Sequence, residues 1–148
     1  GLETKLVADE NVTLVHGSLR NGGNFEEYVQ EVPQAKKSFE ELTTKLVFVG
    51  HTHFPEIYVF DPETRQARHT GLYNSGFLYL EDNKQYFVNI GSTGQPRDGD
   101  SRSSCCVYDN EEGTIEIVRV PYDIDASAQK IIAAGLPEFL AQRLYVGR

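Results

Sequence analysis

The chain has 148 residues, 39% of them hydrophobic, and a formal net charge of -8 with a sequence pI near 4.9. That is the length of one domain, long enough to bury roughly two-thirds of its unfolded surface, and the hydrophobic content excludes a disordered chain. The acidic balance argues against non-specific binding to nucleic acid or to an anionic membrane, while a phosphate substrate stays open because a bound divalent metal reverses the sign locally.

No apolar run in these residues reaches transmembrane length or reads as a signal peptide, so no membrane association is expected. The two cysteines, Cys105 and Cys106, are adjacent. In a strand they point to opposite faces, which disfavours a disulfide between them and fits a reducing cytoplasm. The chain contains no Met and opens on Gly1, which points to a processed, trimmed or cut N-terminus.

In chain order, Leu6 to Ala8 and Val12 to Val15 read as two short apolar runs around the turn Asp9-Glu10-Asn11. Ser18 to Asn24 is loop, with the turn chemistry of Asn21-Gly22-Gly23-Asn24. Phe25 to Val29 is read as one helical turn. Gln34 to Leu42 is a helix, with Ala35, Phe39 and Leu42 on one face. Leu46-Val47-Phe48-Val49 is a continuous apolar run, the mark of a strand covered on both faces. Ile57 to Phe60 is a strand that ends in a turn at Asp61-Pro62. Phe77 to Leu80 and Tyr86 to Ile90 are strands separated by Glu81-Asp82-Asn83. Gly91 to Ser104 is a long polar loop. Cys105 to Tyr108 and Thr114 to Val120 form a hairpin around Asn110 to Gly113. Ala126 to Ala134 and Pro137 to Leu144 are helices, the first ended by Gly135 and the second opened by Pro137. The class is α/β or α+β, with a mostly mixed sheet and flanking helices.

Three of the four histidines lie just past expected strand ends: His16 after Leu14-Val15, then His51 and His53 after Val47-Phe48-Val49-Gly50. That rim is where open α/β sheets build their sites, and neutral imidazole is a common ligand for transition metals. In an extended segment, residues two apart point the same way, roughly 6–7 Å apart. Such a pair reaches one metal, or two metals about 3.5–4 Å apart. Alone, the pair is a weak signal, more often a decorated turn than a metal site. Gly17 and Gly50 would let the backbone pass close to a metal or phosphate. His69 is read as a surface loop residue without a role.

Leu14 to Ser18 (LVHGS), Val49 to Pro55 (VGHTHFP) and Val88 to Asp100 (VNIGSTGQPRDGD), in that order, closely resemble the calcineurin-like metallophosphoesterases. The similarity is greatest to their bacterial and archaeal predicted phosphodiesterase branch, and Val120 to Leu144 resembles that branch's C-terminal tail. The resemblance implies a four-layer α/β/β/α sandwich with a two-metal centre at the sheet ends. It implies that His16 and His51 bind one metal and His53 the other. The two divalent ions would be manganese, with iron, zinc or nickel also suited to such ligands. Asn89 to Ser92 and the loop through Gln95, Arg97 and Asp98 would border the substrate. Arg97 would contact phosphate, or else pair with Asp98 or Asp100 to shape the loop. Ser92 and Thr93 serve equally well as backbone-capping hydroxyls, and Asp98-Gly99-Asp100 reads as a turn. Ile90 stands where the family pattern usually has Pro, a change expected to alter only the local turn.

The family also uses D-x-H, G-D and G-N-H-[DE] segments upstream of the V-H-G block, and this sequence carries none of them in that order. Residues 1–148 are therefore expected to be the C-terminal portion of such a domain, from proteolysis, deliberate truncation or a shortened gene. They would lack the bridging aspartate, the asparagine ligand, an Asp/His pair and the histidine general acid. With the first sheet's parallel strands gone, the remaining sheet should show apolar surface and open edges, which invites self-association. The intact parent is expected to hydrolyse a phosphodiester or a small phosphorylated metabolite with a two-metal-activated hydroxide. The chain alone is expected to be inactive, with its own N-terminal half or a second copy as its partner. The alternative is a non-catalytic scaffold of this fold that binds proteins. That reading calls for altered ligands, whereas the three visible histidines are intact.

Overall fold

The structure is a computed structural model describing residues 5–8, 10–72 and 76–148. Six strands form a mixed sheet: β1 (Lys5–Val7), β2 (Val12–Val15), β3 (Leu46–Val49), β4 (Pro55–Asp61), β5 (Gln66–Gly71) and β7 (Gln85–Ile90). Their order across the sheet is β1-β2-β3-β7-β4-β5. The centre is parallel, β2 beside β3 and β3 beside β7, and β1, β4 and β5 join antiparallel. The strands β6 (Phe77–Tyr79), β8 (Ser103–Asp109) and β9 (Thr114–Val120) form a second, antiparallel sheet in the order β6-β9-β8.

The pleat of β3 explains the layering. Val47 and Val49 face one side, against Ala35, Phe39 and Leu42 of α1 (Val32–Phe39) and the residues following it. Leu46 and Phe48 face the other, where Ile57, Val59, Tyr86 and Val88 meet Ile115 and Ile117 of the second sheet. Successive side chains alternate faces, so a strand with a core on each side must be apolar throughout, as the continuous run indicated. The chain is thus a mixed α/β fold with a helix on one face of the larger sheet and a second sheet on the other.

Several boundaries differ from those expected. The first helix begins at Val32 because Glu31 and Gln34 form a reciprocal cap, with Pro33 in the first turn. It ends at Phe39, and Leu42 packs from the turn that follows. Phe25 to Val29 is not helical. Ser18 and Asn24 pair as an isolated antiparallel bridge, and Glu27 is drawn back onto Ser18 and Arg20, which holds the segment open. Strand β5 has no counterpart among the expected elements. It carries His69 in register with Tyr58, so His69 is a strand residue rather than a loop residue. Of the turn expected at Asp9 to Asn11, Asp9 lies outside the described residues.

After β9 the chain forms α2 (Ile124–Ala133), capped by the Asp123 carboxylate on the Ala126 amide, and α3 (Glu138–Gln142). Gly135 ends the first at φ +71°. The expected second helix is shorter, because Arg143–Val146 tightens into a 3-10 turn. Leu6, Val7 and Leu14 at the β1 edge, and Phe77, Tyr79 and Val107 on the second sheet, are exposed. Among the described residues no helix is long and apolar enough to cross a membrane. Both cysteines are free thiols.

Candidate metal centre

The parallel centre of the sheet assembles the site. Leu14 of β2 is in register with Phe48 of β3, so the chain leaves both strands side by side. The Gly50 amide donates to the His16 carbonyl at 3.0 Å, which extends the pairing by one step. One residue later the side chains meet: Nε2 of His16 lies 3.1 Å from Nδ1 of His51. Beside them β7 ends at Asn89 and Ile90, with Asn89 in register with Val49.

His51 and His53 do not sit in an extended segment, as their spacing suggested. Both have left-handed backbones, φ +69° and φ +65°. The Thr52 amide donates to the Gly50 carbonyl at 2.8 Å, closing a three-residue turn centred on His51. With positive φ this is the rare, strained form of the γ-turn. Asn89 holds the turn from below. It is 1% exposed, and its amide donates to the Gly50 carbonyl and to Thr52 Oγ1 while its Oδ1 accepts from the Gly91 amide. Expected beside the substrate, Asn89 is instead buried beneath the histidines with its hydrogen bonds used.

The ring nitrogens are individually oriented. Nδ1 of His53 is 2.7 Å from the Gln95 carbonyl, an oxygen that can only accept. The proton therefore sits on Nδ1 and leaves the Nε2 lone pair free, the arrangement common behind a ligating histidine. Nε2 of His51 faces the Glu26 carbonyl at 3.3 Å, which by the same argument frees Nδ1 toward His16. Burial, and then the charge of His51, hold the His16 pKa below its ordinary value. Burial is also the largest cause for His53, whose pKa is lowered further by Arg97, His51 and His16 against an opposing hydrogen bond from Gln95. Both rings are thus kept neutral near pH 7, the form that binds metal.

The donor chemistry fits part of a metal site. Two nitrogens bound to one cation at roughly 2.0–2.1 Å are about 2.8–3.4 Å apart between octahedral and tetrahedral geometry, and the His16–His51 distance of 3.1 Å falls in that range. Among the described residues, however, no group of three or more His, Cys, Asp or Glu side chains is arranged to hold a metal ion.

The remaining expected residues border this pair. Ser92 caps the loop after β7, its Oγ accepting from the Gln95 amide at 2.9 Å. Arg97 follows on the same loop, and its amide donates to the His53 carbonyl. Its guanidinium is held by Gln95 Oε1 at 2.9 Å, and its buried Nε has no partner among the described residues. The acidic residues beside it are engaged elsewhere: Asp98 pairs with Arg119 of β9, and Asp100 with Arg102.

Two aromatic residues with no assigned role in the sequence complete the surroundings. Phe25 stacks on His16 at 4.2 Å between ring centroids, and Tyr28 lies on His51 at 3.8 Å. Gly17 permits this fold-back. A Cβ there would meet the Asn24 carbonyl oxygen at 2.4 Å, so its close approach is to the loop's own backbone. The signal was the dense turn at 21–24, which returns the chain to the strand ends, although nothing local says which side chains arrive there.

A family model described as calcineurin-like phosphoesterase superfamily domain matches residues 2–113. The chain belongs to this superfamily. As a member, it is 45% identical over 103 residues to the uncharacterized protein MJ0912 of Methanocaldococcus jannaschii, an alignment covering 70% of this chain and 40% of that protein. Its structure is similar to the crystal structure of a metallophosphoesterase from Sphaerobacter thermophilus, with a TM-score of 0.85 and 32% identity over 99% of this chain and 60% of that one. The fold also matches hypothetical protein PH1004 from Pyrococcus horikoshii OT3, with a TM-score of 0.66 and 19% identity over 98% of this chain and 51% of that one. This superfamily member thus spans 40–60% of the length of these relatives.

Proposed function

We propose that this chain supplies three metal-holding histidines to a phosphoesterase acting on a phosphodiester or a small phosphorylated metabolite. The observation that carries the reading is the meeting of His16 Nε2 and His51 Nδ1 at 3.1 Å, at the rim of a parallel sheet in a phosphoesterase-superfamily chain. His16 and His51 would hold one divalent cation through these two nitrogens, and His53 would hold a second through its free Nε2. Such cations supply Lewis acidity to phosphoryl oxygens and lower the pKa of water.

The chain's own residues would do the rest of the positioning. The Gln95 carbonyl fixes the tautomer of His53. Arg97, steadied by Gln95, presents the guanidinium fork that matches phosphate oxygens. Ser92 and Asn89 shape the two loops. Three neutral imidazoles bring no negative charge to offset two close dications. The carboxylate ligands and the proton donor are therefore assigned to residues outside this chain, in keeping with the greater length of the relatives.

The test is hydrolysis of bis(p-nitrophenyl) phosphate by the intact protein, dialysed against chelator and then titrated with manganese. Turnover that appears with manganese supports the reading. Absence of both turnover and bound metal overturns it.

A further inference from the structure

Behind the histidine turn lies a buried polar chain that the proposed chemistry does not use. Thr52 is 4% exposed, between the two left-handed histidines. Its hydroxyl accepts from Asn89 Nδ2 at 2.8 Å and from the Phe54 amide at 3.2 Å, and it hydrogen-bonds to the Glu56 side chain. A hydroxyl has one proton and two lone pairs. With both lone pairs taken, the hydroxyl keeps a proton to donate, and the neighbouring Glu56 carboxylate, whose charged form the Thr52 side chain favours, is its acceptor in this arrangement. Glu56 is 7% exposed and also meets His69 Nε2 at 2.8 Å and the Tyr58 hydroxyl at 3.3 Å. His69 stacks on Tyr58 at 4.6 Å, which fixes its ring from a second direction. The chain therefore runs from β5, through β4, to the turn: His69, Glu56, Thr52, then Asn89 and the Gly50 carbonyl.

Left-handed backbones at two non-glycine residues persist only where the surroundings over-determine them. The γ-turn hydrogen bond and Asn89 fix Gly50. Thr52 is the residue that joins His51 to His53, and its rotamer is set by the carboxylate it donates to. A carboxylate can accept from Thr52, Tyr58 and His69 together, whereas a carboxamide at the same place has one accepting oxygen and an NH2 group that only donates. The buried acid and its histidine thus have a geometric purpose.

We infer that Glu56 and His69 are positioning residues for the metal-holding turn, acting through the Thr52 hydroxyl to set the directions of His51 and His53. The inference rests on reading those two histidines as metal-holding. His69, a residue in strand β5, therefore contributes to the site without touching it.

Thr52→Val removes the hydroxyl at nearly constant shape, and Thr52→Ser keeps it. Glu56→Gln and His69→Phe probe the next two links. Two readouts in the intact protein, each with thermal melting as a check on folding, decide the matter: the imidazole ¹⁵N shifts of His51 and His53 without metal, and the dissociation constant for manganese. Thr52→Val is expected to move both sets of ring shifts and to weaken manganese tenfold or more. Thr52→Ser should restore both readouts. Glu56→Gln should weaken binding three- to tenfold, and His69→Phe less. Folded Thr52→Val and Glu56→Gln proteins with unmoved ring shifts and wild-type affinity would overturn the inference. If the wild-type protein binds no manganese, the metal reading fails, and the ring shifts alone still decide whether Thr52 and Glu56 position the turn.

Discussion

Nε2 of His16 and Nδ1 of His51 are 3.1 Å apart, and the residues that carry them are 35 positions apart in the chain. The parallel pairing of β2 and β3 makes the meeting, and the two rings can then act as one ligand pair. His16→Ala and His51→Ala should each abolish the same metal, and the double variant should lose no more than either single one. His53→Ala should remove the other metal and most diesterase activity. Native mass spectrometry of the intact protein counts the ions. Unchanged turnover of His53→Ala with manganese present would show that His53 holds nothing needed.

The ring titrations have a definite sign. In the folded chain the pKa values of His16 and His53 lie below 6.5, the ordinary value. The unfolded chain therefore binds more protons as pH falls past 6.5, and the stability contributed by the neutral rings is full above that pH and declines below it. NMR titration of the metal-free protein should show both rings more than half neutral at pH 6.5. Denaturant midpoints should fall from pH 7 to pH 5.5, by less in the His16→Ala, His53→Ala double variant.

Asn89 joins three backbone and hydroxyl groups of two loops from a fully buried position. Asn89→Ala strands the Gly91 amide and takes one hydrogen bond each from the Gly50 carbonyl and the Thr52 hydroxyl, which keep the Thr52 and Phe54 amides, and a buried group left unpaired costs about 1–3 kcal/mol. A fall in melting temperature of roughly 5–10 °C is expected for a chain of this size. A metal-affinity loss should accompany it, because the turn at His51 is released. Melting and manganese titration of the same preparation test both halves.

The side chains of Asp98 and Arg119 are 2% and 1% exposed, and they tie the Arg97 loop to β9. Removing one partner strands a buried charge, so Asp98→Ala is expected to destabilise the protein by about 3–5 kcal/mol. Replacing both, as Asp98→Leu with Arg119→Met, should recover much of that loss while leaving Arg97 poorly placed. Urea unfolding separates the single from the double variant. A rise in KM of the double variant, with its stability recovered, would show that the pair acts on the loop.

Burial, and then the neighbouring Cys105, push the Cys106 thiol up to about 12, so it stays protonated through the neutral range. The thiolate is the reactive form. In a Cys105→Ser variant the remaining thiol should react with DTNB slowly in buffer and quickly in denaturant. Fast labelling in the native state would show that the second sheet opens at β8.

The parts that were legible in the sequence are those whose signal is local. Leu46 to Val49 announces a buried strand because four apolar residues in a row suit only a strand with a core on both sides. Gly135 and Pro137 mark a helix end and a helix start by backbone chemistry alone. Strand β5 gave no such signal. Its residues Gln66 to Gly71 are mostly exposed, and pairing with β4 imposes their conformation. The same holds at the site. GHTH and its neighbours pointed to the three histidines, but not to the left-handed turn that aims two of them, nor to Phe25 and Tyr28 against their rings. Those depend on hydrogen bonds to Asn89, Gln95 and Glu26, residues 25 to 42 positions away from their partners.

The backbone at residues 51 and 53 has a consequence for how such a protein can change. Glycine is the residue that adopts positive φ without steric cost, so His51→Gly and His53→Gly each relax the chain while deleting a ring. Mutational drift under pressure for thermostability alone would erode the motif first at these two positions. Keeping both histidines there sets a backbone cost against what the rings supply, their contacts with Gln95, Glu26 and Tyr28 included.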